Sequence, residues 1–256
     1  MSNILAIANK ELRSYFASPI AYAVVGFFAL AFGFMFYNFL RFFAMQSMRM
    51  GSMGMSQPVN INQMMIRPLV MQISVIVLFM LPMVTMRTYS EEKRSGTIEL
   101  LLTSPVTDLQ IILGKFFGAL SLYALMLLVT LPSILVLFWY GNPDWKPVAT
   151  SYIGLLLLGS SFISFGLFVS STTKNQIVAG VLTFVLLLML LLVSWMRDFV
   201  TSTIGSAIVG ALSIFEHFDD FAKGVLDTKH IVYYVSVITF GLFLTARSVD
   251  SERWRG

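Results

Sequence analysis

Charge-free apolar windows set the first limit on this fold. Five of them, 21–40, 68–86, 116–140, 148–173 and 175–196, hold no Asp, Glu, Lys, Arg or His, and a shorter one covers 231–246 before Arg247. A helix needs about 20 apolar residues to cross the hydrocarbon core of a bilayer. Charged residues make up 12% of the chain and apolar residues 57%, whereas soluble domains average about 25% charged. A water-soluble core in 256 residues has no room for that much apolar surface. The expected fold is therefore an all-α integral membrane protein with six transmembrane helices.

A seventh segment, 199–215, is short and only mildly apolar. Its small residues Ser202, Ser206 and Gly210 recur every four positions, a spacing that suits close helix packing in a membrane. Basic residues help to decide its role. With six spans both termini share a side that carries Lys10, Arg13, Arg87, Lys93, Arg94, Lys115, Lys174, Arg247, Arg253 and Arg255. The other side carries Arg41, Arg49, Arg67, Lys146, Arg197, Lys223 and Lys229 on longer loops. Positive charge is denser on the first side, which reads as cytoplasmic. Segment 199–215 then reads as a re-entrant or interfacial helix on the outer side. The first long apolar run follows Lys10, Glu11 and Arg13 and is too long for a signal-peptide core.

Several function classes are excluded. There is no cysteine, hence no disulfide and no thiolate metal site. A net charge of +4 is too small to point to nucleic acid. No GxxxxGK[ST] phosphate loop is present, so ATP is not hydrolysed here by that route. The spans lack the midplane ionisable residue that proton- and ion-coupled transporters use, which also argues against a stand-alone channel or intramembrane enzyme. The two histidines, His217 and His230, fall in an outer loop and read as surface or interfacial. The acidic stretch 216–229, with Asp219, Asp220 and Asp227, reads as a solvated loop, or else as a gate that meets an extracytoplasmic partner. Met45, Met48, Met50, Met53 and Met55, with Met64 and Met65 beyond them, have spacings found in thioether Cu(I) sites. The plainer reading is a flexible outer loop with Met as adaptable filler, and no metal is expected.

The polar segment between the second and third windows is the most informative. Glu91, Glu92, Lys93 and Arg94 carry the second span into water, Gly96 interrupts it, and Thr97 to Ser104 allows one or two turns before Pro105. Ile98, Leu100, Leu101 and Leu102 form an apolar ridge with Glu99 and Thr103 beside it. Thr107, with Gln110 three residues on, makes a capping box for the next helix. This is a short, stiff lever between two spans, which a separate engine protein could grip. At the N-terminus Ile4, Ala8, Leu12, Tyr15 and Phe16 share one face, with Asn9, Lys10 and Arg13 elsewhere on the wheel. That pattern reads as an interfacial amphipathic helix, broken at Ser18 and Pro19.

The run Glu91, Glu92, Lys93, Arg94, Ser95, Gly96, Thr97, Ile98, Glu99, Leu100, Leu101, Leu102, Thr103, Ser104, Pro105 resembles the "EER…GTLELLLTSP" signature of the ABC-2 family of ABC-transporter permeases. Lys10, Glu11, Arg13, Tyr15, Phe16 and Pro19 resemble that family's N-terminal elbow helix, and 215–224 with 246–248 its outer helix and last span. Within the family the likeness is to the gliding-motility and nitrous-oxide-reductase-maturation permeases. The resemblance implies a single transmembrane domain over 1–256, with an elbow at 1–19, a cytoplasmic loop with a coupling helix at 87–115 and a re-entrant outer segment at 197–230. It also implies the bacterial inner membrane, both termini cytoplasmic, a second permease subunit (self or a relative) and a cytoplasmic ATPase dimer that binds ATP and Mg, with no cofactor in this chain. The coupling helix would be 96–105, with Lys174 and Asn175 as a second contact. The function implied is that of the permease subunit of an exporter. The alternative is a complex that passes mechanical work to a periplasmic or lipoprotein partner.

Overall fold

The structure is a computed structural model, and it describes residues 2–52, 60–98, 106–196 and 202–253. Those residues are helical with no strand among them. In chain order they form α1 (Ser2–Ala17), α2 (Pro19–Ser52), a π-helical turn (Asn62–Ile66) that runs into α3 (Arg67–Thr85), α4 (Ser90–Ser95), α5 (Asp108–Gly141), α6 (Trp145–Thr172), α7 (Gln176–Met196), α8 (Thr203–Leu212), α9 (Ile214–Ala222) and α10 (Thr228–Arg253). Six stretches are long and apolar enough to cross a membrane, and they match the six windows read from the sequence to within one residue where a window runs past its helix.

Hydrogen bonds fix which helix ends lie together. At one end α1, the α3–α4 turn, the start of α5 and the ends of α6 and α10 converge: Ser170 Oγ accepts from the backbone N–H groups of Tyr89 and Ser90 at 3.1 and 3.2 Å, and Ser248 Oγ donates to the Ser171 carbonyl at 3.2 Å. At the other end Asn62 bonds both backbone groups of Asp144, and Thr150 Oγ1 donates to the Phe221 carbonyl at 2.9 Å. The chain therefore alternates between two ends, here named the α1 end and the α9 end.

The α3 and α6 spans are central. Of their apolar windows 61% and 72% are buried, against 22% for α2, 22% for α7 and 17% for α10. Small residues permit the central packing, since lipid offers no hydrophobic drive for helices to associate. A side chain at Gly166 would collide with Thr85, one at Gly159 with Tyr123, and one at Gly241 with Ser164.

Three expectations change. Residues 45–52 are not loop, because α2 continues through Met45, Met48 and Met50 to Ser52. Met65 is fully buried beside Ile66 and Leu69, and Met53 and Met55 lie outside the described residues. The stretch 214–222 is not a solvated loop either: Phe215, Phe218 and Phe221 recur every third residue and insert into the core. Ser206 and Gly210 line a cavity. At ten residues α8 rises about 15 Å, half a hydrocarbon core.

Candidate functional site

The site forms at the α1 end, where α1 meets the α3–α4 turn, α4 and the start of α5. Thr107 caps α5: its side chain accepts from Gln110 N–H at 3.4 Å while the Gln110 side chain accepts from Thr107 N–H at 3.3 Å. Asn3 reaches the same Gln110 side chain from α1 at 3.3 Å. One turn on, Gly114 and Gly118 present a bare strip of α5 to α1. A Cβ at Gly114 would stand 2.6 Å from Ile7 Cβ, and one at Gly118 the same distance from Glu11 Cβ. The two glycines let α1 lie directly on α5, and this contact sets Glu11 beside Lys115.

Lys115 is 1% exposed. Its Nζ donates to Glu11 Oε1 at 2.9 Å and to the Thr88 carbonyl at 2.8 Å, and it is ion-paired with Glu92 Oε2 at 2.8 Å. The ammonium also lies 5.0 Å from the centre of the buried Tyr89 ring. Glu92 continues the chain of charges to the exposed Lys10 at 3.3 Å. Two carboxylates and one ammonium out of water would leave an excess negative charge, which Lys10 offsets at the rim. Stripping ions of water is costly unless they are closely paired and hydrogen-bonded, and this cluster meets that condition. It ties α1, α4, the α3–α4 turn and α5 into one body.

Further links brace that body. Tyr15 Oη donates to the Val84 carbonyl at 3.1 Å and sits 3.3 Å from Thr88 Oγ1. Burial pushes the Tyr15 hydroxyl well above its ordinary pKa, so it stays a donor. Arg87 pairs with Glu91 at 3.3 Å and donates to Ser18 Oγ at 3.1 Å, at the α1–α2 corner. Lys93 is buried and donates to the Ser171 carbonyl at the end of α6.

The remaining residues singled out in the sequence divide into four groups. Lys10, Arg13 and Pro19 are exposed on α1 and at the first turn of α2, and Phe16 stacks edge-on against Tyr22 at 5.4 Å. Arg94 is exposed, Gly96 closes α4 with φ +72° and open space around it, and the Thr97 hydroxyl lies 2.9 Å from that of Ser95. Lys174 and Asn175 are exposed in the α6–α7 turn at the same end, where Asn175 Oδ1 accepts from Ile177 N–H at 2.9 Å. Glu99, Leu100, Leu101, Thr103, Ser104 and Pro105 lie outside the described residues.

Sequence reasoning missed the centre of this site. In the sequence Lys115 stands out only as one of the basic residues on the side read as cytoplasmic, and Glu11 only as a charge ahead of the first span and a residue of the elbow. The signal was present: Glu11 continues the Ile4, Ile7, Ala8, Tyr15 face, and Lys115 sits between two glycines four residues apart. The histidines were misread as well. His217 and His230 are buried, with their Nδ1 atoms 3.0 Å apart, because the phenylalanines of α9 turn that face inward.

A family model described as "ABC-2 family transporter protein" matches residues 5–242. Among curated proteins, the probable multidrug ABC transporter permease YbhR of Escherichia coli K12 is 31% identical over 105 residues, and the protein of the same name from Escherichia coli O157:H7 aligns equally. That alignment takes in 40% of this chain and only 28% of either relative.

Proposed function

This chain belongs to the ABC-2 family of transporter proteins, and on that premise we propose that it is the permease subunit of an ATP-driven exporter, coupled to a separate ATPase through 96–105. The observation that carries the reading is the buried Glu11–Lys115–Glu92 cluster. Segment 96–107 connects α4 to α5 in the sequence, and that cluster locks both helices to α1. A partner that grips the segment therefore moves α1 and the ends of two spans together.

On this reading the α1 end is cytoplasmic, α1 is an interfacial elbow, and α8 with α9 forms a re-entrant hairpin at the outer face. Lys174 and Asn175 present a second, smaller contact to the ATPase. Nucleotide binding closes two ATPase subunits and draws two such levers together. The energy enters only through differential contact with the inward- and outward-facing states. The exposed apolar faces of α2, α7 and α10 supply surface for a second permease subunit. The name of the Escherichia coli relatives supports a multidrug-type cargo, and the signature at 91–105 supports a place near the gliding-motility and nitrous-oxide-reductase-maturation permeases.

Affinity purification from native membranes in mild detergent tests the assignment. A stoichiometric Walker-motif ATPase should co-purify and be lost when 96–105 is replaced by a Gly/Ser linker. A chain that purifies alone contradicts it.

A further inference from the structure

At the α9 end a cavity of about 1070 Å³ opens between α3, α7, α8, α9 and α10. Trp195, Tyr233, Phe215 and Met71 form part of its wall, and His217 and His230 stand in the same wall. Their contact joins α9 to the first turn of α10. His230 Nε2 lies 2.9 Å from Asp220 Oδ2, and the Tyr233 ring meets the His217 ring edge-on at 3.8 Å. The chain thus holds a line of three groups, His217, His230 and Asp220, beside an open space.

The donors in this line can be counted. With both rings neutral and the shared proton placed on His217, its Nδ1–H points at Nδ1 of His230, and His230 donates its Nε2–H to the Asp220 carboxylate; the Ala211 backbone is a further acceptor for His217. One further proton fits without breaking either link. It enters at Nε2 of His217, the shared Nδ1 proton passes to His230, and the imidazolium faces Asp220. A second proton does not fit, because two N–H groups would then point at each other across 3.0 Å with two cations side by side. The line accepts one proton and is broken by two.

The surrounding charges favour this behaviour. Arg67 from α3 holds Asp219 in a two-pronged contact at 2.7 and 3.0 Å, and Lys223 pairs with Asp219 and Asp220. Glu216 on α9, with Lys229 and Tyr233 on α10, lines the same cavity, and Asp227 caps the start of α10 through Lys229 N–H. Burial works against the charged form of Asp220, but Lys223 and His230 outweigh it and hold that carboxyl below its ordinary pKa. The hydrogen bond to Asp219 holds Lys223 above its own. Burial, and then the neighbouring His230 charge, push His217 below the usual histidine value.

We propose that His217 and His230 form a proton-binding latch that joins α9 to α10, takes up one proton intact and opens when acid delivers a second. Opening parts the two rings at the cavity wall and loosens this edge of the α9–α10 contact, while Tyr234 Oη still donates to the Ile214 carbonyl at 2.7 Å. The latch responds to proton concentration at the α9 end and needs no nucleotide.

The chain has only two histidines, so the full-length protein in nanodiscs, labelled with ¹⁵N-histidine, gives an unambiguous titration. Two separated steps are expected, the second well below the ordinary value of about 6.5. Hydrogen exchange of 214–222, corrected for intrinsic rates, should rise about tenfold or more as that second step is crossed. In His217→Gln the remaining ring should titrate once and the acid-linked rise should vanish. Two independent titrations near the ordinary value in the wild type would overturn the latch, and so would unchanged exchange of 214–222 down to about pH 4.5. Both wild-type readouts stand even where the variant fails to fold.

Discussion

Lys115, one residue before a charge-free span, donates to the Glu11 carboxylate at 2.9 Å with both side chains almost out of solvent. Glu11 comes from a different helix 104 residues away, so this pair joins the first helix of the chain to the third span. Lys115→Met should strand Glu11 as a buried carboxylate, with Glu92 still held by Lys10, and destabilise the protein by about 3–5 kcal/mol. Adding Glu11→Leu and Glu92→Leu should recover much of that loss, since an apolar replacement of a complete buried cluster is often neutral. Thermal unfolding in nanodiscs reads both changes.

The α1–α5 contact predicts a second effect. Gly118→Val brings a branched side chain to where a single Cβ already lies 2.6 Å from Glu11 Cβ. α1 must lift from α5, at about 1–3 kcal/mol for overpacking. Limited proteolysis should cut α1 first in this variant and leave the spans intact. Gly26→Val, where nothing lies within 4 Å of the added Cβ, is the matched control.

Tyr89 separates ring from hydroxyl. Its Oη is buried and finds no hydrogen-bond partner among the described residues, whereas its ring packs against the Lys115 ammonium. Tyr89→Phe should leave stability within about 0.5 kcal/mol of wild type. Tyr89→Ala should lose about 3–5 kcal/mol from the emptied volume. Denaturant or thermal midpoints of the two variants give the comparison.

Gly96 ends α4 in the left-handed region, at φ +72°, and proline is confined near −65°. Gly96→Pro should misdirect the segment that follows without touching the buried cluster. Glu99→Lys should reverse the charge presented to the partner. Both variants should retain wild-type unfolding temperatures while co-purification of the ATPase and transport fall by about tenfold or more, a loss of at least about 1.4 kcal/mol of binding. Retained transport in both would sink the coupling assignment.

The spans were legible because a bilayer demands long apolar helices, and the six windows need only that rule. The capping box at Thr107 and Gln110 was legible for a different reason, being a local hydrogen-bond pattern. What could not be read depends on contacts between distant segments. Nothing near Lys115 announces Glu11, and nothing near Asn62, at the start of the π-helical turn, announces its bond to Asp144. His217 looked exposed because its neighbours are acidic. Its burial follows from the period of Phe215, Phe218 and Phe221, a helical signal outweighed in the reading by charge.

The measurement that bears most directly on the coupling account is a distance across the α1–α4 body. The chain has no cysteine, so spin labels at Arg13→Cys and Arg94→Cys, both exposed, report without background. In the complex with its ATPase, the 13–94 distance should stay fixed when ATP is added, while the distance from residue 94 to the same site in the second permease subunit shortens. The 13–94 distance should broaden in Lys115→Met. A wild-type 13–94 distance that shifts by several ångströms with ATP would mean that α1 and α4 move separately, and would contradict the account.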